Sequence, residues 1–441
     1  MNLQAFRGEI LHFLADPATV SSGQSYQYFA DGLLVIQAGK VIDCGDYEVL
    51  KAVYCHSESE SKSDSDIDVV HYQHGLIMPG FIDCHVHYPQ VDMLAAYGEQ
   101  LLQWLEQYTY PQERKFSDKD YASEVAKYFL QQLVKAGTTT ALVFGTVHPQ
   151  SVDAFFEQAE QHNLRMICGK VLMDQNCPDD LQDTPQLGYQ QSKELIERWH
   201  GKGRLQYAVT PRFAPTCSQQ QLNLAGKLLA QYPGVYIHTH LCENKKEIDW
   251  VAELFPQRSS YLDVYDHAKL VGKRSVFAHG VHLTDDDCKK LGDNQAALAF
   301  CPSSNLFLGS GLFNLKQAQQ HKVAVGIGSD VGAGTSLSIM RNLNQAYKIQ
   351  QLRNDKLDAF QALYLATLGG AKALDLDHTI GNFTAGKEAD FVVLDYQGCE
   401  AMARRISHCD TLAEKLFVLT MLADERHIKA THIMGKKINI E

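Results

Sequence analysis

Over residues 76 to about 375, eight short apolar runs alternate with longer amphipathic stretches, and this alternation constrains the fold more than any other feature. The runs span residues 81–88, 138–144, 166–173, 205–213, 235–241, 275–279, 296–300 and 323–329; helical periodicity fills residues 121–135, 152–162, 190–200, 219–231 and 245–254. Strands that alternate with helices predict a parallel sheet. Eight repeats in about 300 residues predict a closed (β/α)₈ barrel of the TIM type. Residues 1–75 read as β-rich, with a hairpin at Gly32 to Asp43 turning at Ala38-Gly39-Lys40. The sequence becomes β-like again in 376–441, at residues 389–395 and 432–438. The expected architecture is therefore α/β: a barrel over 76–375 and a small β-sandwich-like domain made from 1–75 and 376–441 together. Residues 57–66, SESESKSDSD, are low in complexity and predict an exposed loop.

A formal net charge of -12 argues against a nucleic-acid backbone as partner, since phosphate recognition needs an excess of Lys and Arg. It leaves a free base open as a substrate. No run is long enough to span a membrane, and residues 1–10 carry no signal-peptide core. The 11 cysteines include no C-x-x-C pair and predict reduced thiols, as in a cytoplasmic protein.

Side chains at i and i+2 share one face of a strand, so His85 and His87 point the same way at the mouth end of the first barrel strand. Two imidazoles so placed suit one zinc ion, and equally suit two histidines bonded to backbone in a core. The lead-in Gly75-Leu-Ile-Met-Pro-Gly-Phe-Ile-Asp83 before H-x-H resembles the signature of the amidohydrolase superfamily. On that pattern further ligands fall at later strand ends. The fifth strand offers His238 and His240, of which His240 lies nearer the mouth; His238 reads as a core histidine or a support behind the ligands. His279 ends the sixth strand and Asp330 the eighth. Asp330 by itself would read as a helix cap; at the end of an eighth strand it reads as a ligand that exchanges a proton with water. Lys170 falls on the third strand and the fourth has no lysine, so the bridging lysine of two-metal members is missing and one metal is expected. Glu243, three residues past His240, reads either as a proton carrier or as a solvated carboxylate at a helix start.

Several stretches resemble one family in particular, the guanine deaminases: His85-Val-His-Tyr-Pro-Gln90, Leu101-Leu-Gln-Trp-Leu-Glu-Gln-Tyr-Thr-Tyr-Pro-Gln-Glu113, Thr210-Pro-Arg-Phe213 and Cys301-Pro-Ser-Ser-Asn305. The resemblance runs along nearly the whole chain. It implies hydrolytic deamination of guanine to xanthine and ammonia, with one Zn²⁺ per subunit (Fe²⁺ being an alternative metal) on His85, His87, His240 and Asp330. It implies Gln90, Arg212 and Phe213 against the base, together with His240, Glu243, His279 and Asp330. It implies attack at C2 by hydroxide formed on the metal, with His279 and Asp330 activating the water and Glu243 shuttling a proton. It also implies a homodimer. Competing readings are a related deaminase or chlorohydrolase acting on cytosine, a triazine or an oxidised guanine, and a catalytically silent scaffold. The H-x-E and P-C-x-x-C motifs of nucleic-acid deaminases do not occur.

Overall fold

The computed structural model describes residues 3–54, 67–97 and 100–440. The polar tract 57–66 lies outside the described residues. Two sheets organise the chain. The first has seven strands: β1 (Leu3–Phe13), β2 (Tyr26–Gln37), β3 (Lys40–Asp46) and β4 (Val69–Pro79) from one end of the chain, and three more from the other end. The β2–β3 hairpin turns at Ala38 and Gly39, whose φ of +52° and +77° make the mirror-image turn that matches strand twist.

The second sheet is the barrel. Its strands are β5 (Phe81–His87), β6 (Thr138–Phe144), β7 (Arg165–Gly169) with the short continuation β8 (Val171–Leu172), β9 (Gln206–Pro211), β10 (Tyr236–Leu241), β11 (Ser275–His279), β12 (Ala297–Phe300) and β13 (Ala324–Ile327). The third run, expected as one strand, breaks at Lys170, where the backbone of Gly169 lies against the Ala208 carbonyl too closely for any side chain. At the closing seam the Asp330 N–H donates to the His85 carbonyl and the His87 N–H donates to the Val331 carbonyl, each at 2.9 Å. Gly326 and Gly328 permit this approach, because a Cβ on either would press on Cys84 or His85.

The chain passes between the two sheets at Gly80 and returns after the helices Ile339–Leu352, Ala359–Ala366 and Leu368–Ala373. Strand β14 (Phe391–Asp395) then pairs antiparallel with β4, so both chain ends share one continuous sheet. The C-terminal segment, read as β-like at 389–395 and 432–438, holds helices as well. Two helices, Glu400–Ile406 and Leu412–Leu422, separate β14 from β15 (Ile428–Ile433), and β16 (Lys436–Lys437) follows a turn at Met434-Gly435.

Candidate active site

Along β5, Ile82 and Cys84 pack in the barrel interior with Leu142, Ala208, Tyr236 and Ala278. Strict alternation would then send His85 and His87 outward. The register of β5 against β6 shifts between Asp83 and Val86, and this irregularity turns both imidazoles inward. Asp83 holds the shift in place: its buried Oδ1 accepts from the N–H of His85 at 3.2 Å and of Ser329 at 3.0 Å. Burial pushes that carboxyl up to about 7. On β11, His279 faces the site because its φ is +73°, and Asp330 beyond β13 has φ +50°. The left-handed region is uncommon for side chains other than Gly and costs of order 1–3 kcal/mol, so surrounding structure must hold it.

Four ligand-type side chains converge at the barrel mouth. The Nε2 atoms of His85 and His87 lie 3.2 Å apart, and Asp330 Oδ1 lies 3.1 and 3.3 Å from them. His240 completes the group within 4.8 Å. A tetrahedral ion with bonds near 2.0–2.1 Å separates its ligands by about 3.3 Å, so this spacing and its nitrogen–oxygen donor set fit zinc. The outer ring nitrogens support the fit. His240 Nδ1 donates to the Arg212 carbonyl at 2.7 Å, and His85 Nδ1 lies 2.7 Å from Nε2 of buried His238. Each ring thus presents its other nitrogen inward. His238 stands behind the donors, as its position on β10 suggested. Burial and the neighbouring imidazoles hold His240 well below the ordinary histidine range, in its neutral ligand form. Cys301 also approaches His85, His279 and Asp330. Its thiol, pushed far up by burial, is spent on the Ala299 carbonyl. Lys170 is buried in an ion pair with Asp183.

Beside the donors, His279 Nε2 lies 3.4 Å from Glu243 Oε2 and 3.8 Å from Asp330 Oδ2. Burial, then the nearby charges of Asp330 and Glu247, push the Glu243 carboxyl well above the carboxylate range. Of the two readings open for Glu243, its burial excludes the solvated one. Burial lowers His279 to about 3.

A cavity opens onto these groups. Gln90, Arg212 and Phe213 line it with His87, His240, Glu243, His279 and Asp330; His85 lies just beneath. Glu113 anchors the polar wall. It accepts from Arg212 at 2.8 and 3.0 Å and from Gln90 Nε2 at 3.2 Å, while Gln90 Oε1 accepts from the Gly332 N–H. The apolar wall includes Leu101, Trp104 and Phe213, whose ring meets Trp250 edge-on at 6.2 Å. Glu113, Asp83 and Trp104 were not singled out from the sequence. Glu113 and Trp104 lie in the quoted stretch 101–113 and Asp83 in the H-x-H lead-in, and only folding shows what they touch.

Residues 76–438 match the amidohydrolase family. The chain is 50% identical to a guanine deaminase of Escherichia coli strain K12 over 439 residues, covering 99% of this chain and 98% of that one. A solved structure described as E. coli guanine deaminase superposes with a TM-score of 0.94, covering 99% of both chains. A guanine deaminase from C. acetobutylicum, solved with guanine bound in its active site, matches at 26% identity and a TM-score of 0.87 over 99% of this chain and all of that one.

Proposed function

The chain belongs to the amidohydrolase family and, within it, to the guanine deaminases, and from that premise we propose how its cavity hydrolyses guanine to xanthine and ammonia. The proposal rests on one coincidence in space: three of the four grouped donors, His87, His240 and Asp330, line a single cavity with Arg212, Gln90 and Phe213. His85, His87, His240 and Asp330 would hold one zinc ion. When bound, zinc acts as a Lewis acid that lowers the pKa of a water to about 7.

This chain's own residues do the rest. Arg212 has five N–H donors in a fixed fork, and its two bonds to Glu113 leave others to donate to guanine O6. Gln90 meets the polar edge of the purine, and Phe213 packs on the planar base. Asp330 takes the proton of the attacking water at Oδ2, while His279 orients that water through Nε2. Oxygen bonds to C2. Glu243, kept protonated by burial, passes its proton from Oε2 to N3, takes up the proton of the new C2 hydroxyl and hands it to the departing amine; the proton held on Asp330 then returns Glu243 to its starting form. The bond from C2 to the exocyclic nitrogen breaks, so guanine and water become xanthine and ammonia. The working protein is taken to be a homodimer, as the family resemblance implies, and cytoplasmic, as its reduced cysteines suggest.

Steady-state rates over a panel of guanine, adenine, cytosine and an aminotriazine test the substrate assignment. The expected result is the highest kcat/KM for guanine by several orders of magnitude. A higher kcat/KM for any other member of the panel overturns it.

A further inference from the structure

The seventh barrel strand, β12, supplies none of the four grouped ligands, yet the segment after it reaches both proton-handling side chains. The helix Pro302–Phe307 follows, then Leu308 to Gly311, where Gly309 and Gly311 have φ of +65° and +136°. A Cβ on Gly311 would press on Val281 and His282, so the loop lies tight against the end of β11. Asn305, fully buried, sets its side-chain amide 2.9 Å from His279 Nδ1. Ser310, 5% exposed, donates from Oγ to Glu243 Oε1 at 3.0 Å. Its backbone is held on both sides: the N–H donates to the Asn305 carbonyl at 2.9 Å, and the carbonyl accepts from His282 Nε2 at 2.7 Å.

We propose that Ser310 is a positioning residue for proton transfer: it occupies Oε1 of Glu243 and so dedicates Oε2, the oxygen facing His279, to the exchange. The proposal rests on the role given to Glu243 above. Ser310 is not among the residues lining the cavity, so it acts through Glu243. Without its hydroxyl the carboxyl loses its one side-chain donor among the described residues and is free to rotate away from His279. Misplacing a reacting group by about 1 Å can cost 10²-fold in rate.

Steady-state kinetics on Ser310→Ala and Ser310→Thr, each also combined with Glu243→Gln, test this. Ser310→Ala should lower kcat about 10- to 100-fold with KM for guanine and metal content unchanged. Ser310→Thr, which keeps the hydroxyl, should recover most of that loss. In the Glu243→Gln background Ser310→Ala should cost nothing further, because its action passes through the residue already removed. Undiminished kcat in Ser310→Ala overturns the proposal, as does a loss that adds in full to that of Glu243→Gln. Full turnover in Glu243→Gln alone would overturn the role of Glu243 itself, a separate failure visible before any Ser310 variant is read.

Discussion

Glu243 owes its chemistry to its surroundings. It is 2% exposed, touches Ser310 and His279, and lies near enough to Asp330 for that charge to oppose its ionisation. A proton carrier and a metal ligand should fail differently. Glu243→Gln is expected to lower kcat by about 10²- to 10⁴-fold while the protein keeps its metal. His87→Ala should lose the metal along with activity. Metal analysis beside the kinetics separates the two, and metal lost from Glu243→Gln would count against its role as carrier. The convergence of His85, His87, His240 and Asp330 was legible in the sequence because each lies at or just past the end of an apolar run, and such ends mark the mouth of a barrel. Glu113 was not legible in the same way. Its partner Arg212 lies 99 positions away, and no local pattern announces a carboxylate that anchors a guanidinium across the barrel mouth.

Among elements, β5 shows where periodicity stops being a guide. Alternation correctly puts His85 and His87 on one face, but it cannot say which face, because the register shift between Asp83 and Val86 reverses the parity set by Ile82 and Cys84. The shift depends on a buried carboxylate that satisfies two backbone N–H groups, each costing about 1–3 kcal/mol if left unpaired. Asp83→Ala is therefore expected to bind well under one metal per chain and to unfold at lower denaturant. A variant with a full metal complement would show that the strand holds its shape without that carboxylate. Helix starts slipped for a local reason. Helix Lys119–Lys135 is capped by Asp118, whose Oδ1 accepts from Asp120 and Tyr121, and its polar first turn lacks apolar periodicity. Helix Leu412–Leu422 was missed for the opposite reason: LAEKLFVLTML is apolar around most of its circumference, so no 3.6-residue stripe distinguishes it from a strand-like run.

At the scale of the whole molecule, the barrel and the sheet from the chain ends are joined by a buried ionic cluster. Arg165 opens β7 and Arg204 precedes β9, and both bond Glu388 just ahead of β14. Arg204 also pairs with Asp390. Removing one partner leaves buried guanidinium groups uncompensated, which costs about 3–5 kcal/mol. Glu388→Ala should thus lower the urea midpoint strongly while the folded fraction keeps its KM for guanine; an unchanged midpoint would mean the cluster does not couple the two sheets. The proposed division of labour between a four-donor group from β5, β10 and the segment after β13 and a base pocket beside it is tested most directly by ammonia release from guanine. It should be followed in the purified protein as isolated, after chelation, and after zinc is returned. Ammonia and xanthine should form in equal amounts, cease on chelation and resume with about one zinc per chain. Undiminished release from metal-free protein, or no release from zinc-loaded protein, would contradict the account.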